Sequence, residues 1–261
     1  MSVDPNERGR KVWVPGDVPG AIYILTGALL ALWRLGWMPD GADPPPAAWT
    51  RSSLSEVQSL AMRLAEAENP DARLWPHQAE ACVAALSAPA GQSIIDLGTS
   101  GGKTRLSAAL CTVGSVDTGP GAPWLYLIGN KELCAQTLED FERTTGPMAE
   151  TLGIAAPRIL ACSYSQIKHL EDNYFAGVIV DETHQLSPRT RSGPYAHVPA
   201  GYRIGLSGTA VDRLDADNAL TIGLTGPIVY SMQVGELQHR GHVAPGRVQR
   251  IVYDADRDEI L

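Results

Sequence analysis

Three polar clusters in this 261-residue chain combine residue types suited to handling a phosphorylated ligand. The first is GTSGGKT, Gly98 to Thr104, set between the apolar run SIIDL (93–97) and a helical pattern that starts near Arg105. Strand, glycine-rich turn and helix is the setting in which backbone N–H groups curl around phosphate oxygens, aided by the positive end of the helix dipole. Gly101 and Gly102 permit the curl, with Thr99 and Ser100 completing the loop. Lys103 would place a cation on the β and γ phosphates, and Thr104 a hydroxyl ligand on Mg²⁺. The pattern GxxxxGK[ST] wants its first glycine where Leu97 stands, so this loop alone is also compatible with an ordinary turn.

The second cluster, GVIVDETH, ends an apolar strand with Asp181 and Glu182, 78 positions after Lys103. One carboxylate there can hold Mg²⁺ through water while the next orients or deprotonates an attacking water. In isolation two acids at a strand end are a solvated turn; after a phosphate loop, at a domain-scale separation, they read as its metal and water site. The third is SGT, Ser207 to Thr209, whose hydroxyls could bond His184 or a carboxylate of the DETH segment, although such residues also form plain turns. Upstream, LWPHQAEACVAAL places Gln78 at the head of a helix, and an amide can both donate to and accept from adenine.

These clusters need a scaffold that brings strand ends together. From Leu74 onward short apolar runs alternate with helical patterns, the texture of a parallel α/β sheet. The runs are SIIDL, WLYLIG (124–129), RILACS (158–163), GVIVDE (177–182) and YRIGLSG (202–208), with helices expected at LSAALCTV and KELCAQTLEDFER. Near-continuous apolar strands imply a sheet covered on both faces, with ligands at the strands' carboxyl ends. Before it, Ala21–Trp33 is an uncharged run of thirteen residues, too short to span a membrane, where about 20 are needed, and read as a buried helix. Pro39–Trp49 reads as a loop, and Ser52 or Ser53 with Glu56 caps a second helix expected through about Glu68. Cys82, Cys111, Cys134 and Cys162 have no ligand or CxxC spacing and read as reduced thiols in a cytoplasmic protein. The formal charge of −8 and pI near 5.2 exclude a surface that grips polyanions all over, so nucleic-acid contact must be local or shared.

Taken in order, LWPHQ, GTSGGKT, LYLIGNKELCAQTLEDF, ACSYSQI, VIVDETHQL and GLSGT resemble the Q-type motif and motifs I, Ia, Ic, II and III of superfamily 2 helicases over about residues 74 to 210. GPIVYSMQVGELQHRGHVAP, Gly226 to Pro245, is similar to the stretch after motif III in phage recombination helicases and in XPB-like and restriction-enzyme motor subunits. The resemblance implies a RecA-like P-loop NTPase domain with a central parallel sheet at residues 71–230. A helical accessory region (1–70) precedes it and an exit segment (231–261) follows. It implies ATP and Mg²⁺ as cofactors: Gln78 on adenine, Thr99, Ser100, Gly101, Gly102, Lys103 and Thr104 on phosphates and metal, Asp181 on the metal and Glu182 on water. His184, Ser207 and Thr209 would couple hydrolysis to motion. Asn130, Lys131 and Gln136, with Ser163, Tyr164 and Ser165, match positions that touch the nucleic-acid backbone, where helix capping and solvation are the alternative reading. Leu97 and Ser100 depart from the motif I pattern, and Gly129 and Asn130 stand where Pro-Thr is usual in motif Ia, which puts the loop geometry in question.

The implied partners are DNA, duplex or branched in preference to RNA, and a second RecA-like domain, with no membrane. Only 52 residues follow Thr209, and a second motor domain typically needs about 100–150. Arg247 and Arg250 lie in an edge-strand-like tail rather than a catalytic helix, so the chain is expected to bind ATP and turn it over slowly alone, whether as a fragment or a split protein. A nucleotide-binding regulatory subunit and an RNA helicase fragment are the competing readings. The expected compartment is the cytoplasm, that of the host if the chain is phage-encoded.

Overall fold

A computed structural model describes residues 54–118, 122–167, 170, 175–185, 195, 198, 200–208, 222, 223 and 225–244. The apolar run 21–33, the loop 39–49, Thr209, Arg247 and Arg250 lie outside the described residues. The strands are β1 (Gln92–Leu97), β2 (Trp124–Ile128), β3 (Ile159–Ser163), β4 (Phe175–Val180), β5 (Ala200–Ser207) and β6 (Ile228–Met232). They form one sheet in the order β3-β2-β4-β5-β1-β6, every neighbouring pair parallel. Helices α1 (Leu54–Ala65), α2 (Pro76–Leu86), α3 (Lys103–Thr118), α4 (Leu133–Leu152) and α5 (Val234–His239) complete the described elements beside short 3-10 turns. The architecture is the parallel α/β sheet expected from the alternation of runs, in the RecA-like arrangement that the resemblance implied.

Five strands fall on the five apolar runs, and β1, β2, β4 and β5 are buried along their whole length. Period-2 alternation in β2 sends Trp124, Tyr126 and Ile128 into the larger core, shared with Leu64, Leu86, Leu106, Leu110 and Phe141. Leu125 and Leu127 point to the other face, with Phe175, Val178, Val180 and Tyr195. Trp124 is accommodated by two glycines: a Cβ on Gly114 would lie 2.6 Å from its ring, and one on Gly177 would collide with it. Its indole N–H donates to Ser115 Oγ at 2.9 Å and its ring stacks on Tyr202.

Three boundaries differ from the sequence reading. The phosphate-loop helix starts at Lys103 itself, two residues before Arg105. Helix α4 continues past Arg143 and through Pro147 to Leu152, because Phe141, Met148 and Leu152 all bury against the core and that burial outweighs the proline's missing donor. Gly153, left-handed at φ 69°, then ends it. Helix α1 stops at Ala65 rather than near Glu68, and its Val57, Ala61 and Leu64 sit in the same core as the sheet. Strand β6 was not among the apolar runs, since an edge strand with Ile228 and Ser231 exposed lacks their continuity.

Cys82 and Cys111 are buried and Cys134 and Cys162 half-buried, all as free thiols. Burial pushes the Cys82 thiol up to about 12, which keeps it unreactive. Among the described residues no helix is long and apolar enough to cross a membrane.

Candidate active site

Strands β4, β5 and β1 are consecutive in the sheet, so the clusters that end them stand side by side despite their distance in sequence. At the end of β1, Gly98 N–H donates to Met232 O at 2.9 Å, and a Cβ on Gly98 would lie 2.7 Å from Val234 N, so α5 presses directly on the loop. Ser100 and Gly102 take left-handed conformations, φ 65° and 77°. The loop is held from below by α2. Gln78 Nε2 donates to Gly101 O and Gly102 O, both at 3.2 Å, and His77 Nε2 lies 3.0 Å from Gly101 O. Gln78 Oε1 accepts from Trp75 N–H at 2.9 Å. The side chain assigned to adenine is thus 1% exposed and fixes the loop's peptide planes.

At the end of β4 the chain turns sharply through Glu182, which with Ser100 is one of two non-glycine residues with positive φ among those described, here 49°. A short 3-10 turn, Thr183–Gln185, follows, packed against β5 where Gly205 leaves room: a Cβ there would lie 2.5 Å from Thr183 Oγ1. Lys103 Nζ makes an ion pair with Glu182 Oε1. His184 Nδ1 lies 2.8 Å from Ser207 Oγ and 3.5 Å from Glu182 Oε2. One polar chain therefore runs from the phosphate loop through the DETH turn to the end of β5.

Asp181 stands at the centre of this edge, half-buried, with Oδ1 buried and without a hydrogen-bond partner. Its pKa is raised, first by burial and further by the Glu182 charge, while Lys103 opposes the shift. A desolvated, unpartnered carboxylate oxygen is a group that a divalent cation or its water would satisfy, so the residues fit Mg²⁺. Thr104 is exposed at the first turn of α3.

The segments after β2 and β3 present a different picture. Asn130, Lys131 and Gln136 are exposed, and Asn130 Oδ1 accepts from Glu132 N–H at 2.9 Å, a local turn. Ser165 is exposed, but Ser163 is 2% exposed and its hydroxyl donates to Gln166 Oε1 at 2.9 Å. Tyr164 turns inward: its hydroxyl donates to the carbonyls of Asp181 and, at 3.3 Å, Glu182.

Sequence reasoning passed over two features near the loop. His77 and Trp75, in the same LWPHQ stretch that supplied Gln78, form a ring cluster with His242. The Trp75 and His242 rings stack at 5.2 Å, and the His77 and His242 centroids are 4.7 Å apart. Burial pushes the His77 pKa down. Trp75, 41% exposed, joins Pro70, Arg73, Gln78, Gly102 and Arg105 around a cleft of about 390 Å³ beside the loop. The second feature is Asp96, whose Oδ2 accepts from Gln233 Nε2 at 2.6 Å and Ser231 Oγ at 3.0 Å, tying β1 to β6 just before the loop. The dipeptide PH before Gln78 was visible; the pairing of Asp96 with residues 135 and 137 positions away had no local signal.

No family model and no curated protein sequence matches the chain. Solved structures do. The chain is similar to the UvsW helicase from bacteriophage T4, with TM-score 0.56 at 19% identity over 76% of this chain and 74% of that one. A second T4 UvsW structure matches with TM-score 0.56 at 18% identity, over 80% of this chain but 44% of that one. A nuclease-deletion mutant of the Type ISP restriction-modification enzyme LlaGI, in complex with a DNA substrate mimic, matches with TM-score 0.52 at 15% identity, over 65% of this chain and 21% of that one. The chain therefore shares the α/β fold of these structures and spans less than half the length of two of the three.

Proposed function

We propose that this domain is the ATP-binding half of an ATP-dependent DNA helicase or translocase. The observation that supports it most is the polar chain linking Lys103, Glu182, His184 and Ser207 across the ends of β1, β4 and β5. Lys103 is paired with Glu182 in this structure. A triphosphate in the loop competes for the same ammonium, so its arrival releases the Glu182 carboxylate to orient water and accept its proton. Asp181, through its unpartnered Oδ1, and Thr104 would hold Mg²⁺, which when bound supplies charge neutralisation on the β and γ phosphates. Gln78 and His77 hold the loop in shape for the phosphates, and the exposed ring of Trp75 offers the base a stacking surface in the adjacent cleft. His184, between Glu182 and Ser207, is placed to pass a change at the nucleotide to β5.

DNA as the polymer is supported by the LlaGI match, a structure in complex with a DNA substrate mimic. The acidic chain would grip it locally, through the exposed residues Asn130, Lys131, Gln136 and Ser165. Efficient turnover would require a second RecA-like domain carrying an arginine that stabilises the transferred phosphoryl group, an effect worth about 10³–10⁵ in rate. The test is ATP binding by titration, then phosphate release with and without DNA, by this chain alone and after adding a candidate second domain. ATP·Mg²⁺ binding with slow turnover alone, and DNA-stimulated turnover after the addition, is the expected result. Absence of nucleotide binding would refute the reading, and fast DNA-stimulated turnover by the chain alone would refute the need for a second domain.

A further inference from the structure

The turn after β3 and the turn after β4 are separated in the sheet by β2, two inter-strand spacings, or about 10 Å. The Tyr164 side chain crosses that gap. Tyr164, the first residue after β3, reaches over the end of β2 to donate its hydroxyl to the carbonyls of Asp181 and Glu182. The backbone holds it there as well, since Tyr164 N–H donates to Ile128 O at 3.1 Å. What lies beneath the crossing is Gly129, where a Cβ would sit 3.7 Å from Tyr164 Cε2 and 3.1 Å from Gln185 Oε1. The small residue where the helicase pattern carries proline is thus matched to a tyrosine and a glutamine packed above it. Three turns, those after β2, β3 and β4, meet at this point.

The recipient of the bond matters. Glu182 sits at φ 49°, a conformation disfavoured for a side chain with a Cβ, and the tyrosine hydroxyl bonds the peptides on both sides of its Cα. Directly beside Tyr164 is exposed Ser165, and on the neighbouring turn stand exposed Asn130 and Lys131.

On the reading that this edge binds nucleotide and the neighbouring turns bind a DNA strand, we propose that Tyr164 is the positioning residue that links the two. Through it, a strand bound at Asn130, Lys131 and Ser165 sets the placement of the Asp181–Glu182 peptide. The Tyr164 hydroxyl does not itself touch the nucleic acid; it reports on it. Coupling between two ligands is reciprocal, so it is measurable as binding, without turnover.

The test is the affinity of the full chain for a fluorescent ATP analogue with Mg²⁺, with and without a saturating DNA oligonucleotide, in the wild type and in Tyr164→Phe. The wild type is expected to change its nucleotide affinity by about five-fold or more when DNA is bound. Tyr164→Phe keeps the ring and loses only the hydroxyl; its affinities for nucleotide alone and DNA alone should stay within about two-fold of wild type while the coupling factor falls toward one. A purely structural tyrosine would instead lower both separate affinities and leave their ratio unchanged, which would overturn the proposal. Unchanged coupling in Tyr164→Phe would overturn it too. Wild-type chain that binds nucleotide but shows no coupling would overturn the link while leaving the nucleotide reading intact. Failure to bind nucleotide at all would refute that reading and the link with it.

Discussion

The two ends of the sheet's carboxyl edge are built on different terms. Where β1, β5 and β4 end, Gln78 is bonded to the loop, Lys103 to Glu182 and His184 to Ser207, and the backbone takes left-handed conformations at Ser100, Gly102 and Glu182. Where β2 and β3 end, Asn130, Lys131, Gln136 and Ser165 are exposed, while Ser163 and Tyr164 turn inward. The first end carries strain and a desolvated carboxylate, which cost stability and, on the proposed function, preorganise groups for a ligand. The second has no positive-φ residue among those described, which on the proposed function suits a surface that meets a polyanion through exposed side chains. Fixed geometry marks the end suited to chemistry, and solvated side chains mark the end suited to binding.

The largest effect should come from the fixed end. In the assembly with DNA and a second domain, Glu182→Gln should lower phosphate release by about 10²–10⁴ while keeping ATP affinity, because the amide can hydrogen-bond water but cannot accept its proton. Lys103→Ala should weaken ATP binding itself, as the loop remains and its cation is lost. Turnover undiminished in the first variant, or titrations that coincide for the second, would erase the contrast between the two ends.

Backbone strain offers an intermediate effect that sharpens the contrast. Gly102 and Gly153 have similar left-handed angles, φ 77° and 69°, but a Cβ on Gly102 would collide with Gln78 Nε2 whereas one on Gly153 would meet nothing within 4 Å. Gly153→Ala should cost about 1–2 kcal/mol, the conformational penalty alone. Gly102→Ala should cost about 1–3 kcal/mol more, since it also pushes a buried amide off its two carbonyls. Urea unfolding of both variants measures the difference; equal losses would mean that Gln78 does not brace the loop.

The smallest effect belongs to the solvated end. Lys131→Ala should leave stability unchanged within about 0.5 kcal/mol. It should weaken DNA binding modestly and lower the salt slope of binding by about one. A large stability loss would show that this turn is as constrained as the phosphate loop.

Much of this was legible in the residues. Alternation of apolar runs with helical patterns named the parallel α/β class, and five of the strands fell where the runs did, because a strand buried on both faces must be apolar throughout. GTSGGKT and VIVDETH pointed to the ends of β1 and β4 because a phosphate loop and a strand-end carboxylate pair require particular residue types at particular places, and the structure brings those two ends to one edge of the sheet. Edge strand β6 was not legible, since an exposed strand has no such constraint on its pattern. Nor was the passage of α4 through Pro147, which rests on burial of Met148 and Leu152 that no local propensity reports.

What the sequence determined by itself was therefore the inventory: which residue types stand at the strand ends, and that a parallel sheet must hold them. Only the tertiary structure decided how each was spent. Gln78 shows it, because an amide that in sequence is free to read a base is, once α2 lies under the loop, spent on the Gly101 and Gly102 carbonyls. Tyr164 shows it again, lying 17 positions before Asp181 in sequence and bonded to its carbonyl in space. The physical reason is the strand order. Parallel crossovers put β4 beside β2 and β5 and leave β3 at the edge, so which turns meet is a property of topology and packing. Residue types and spacing along the chain do not encode it locally.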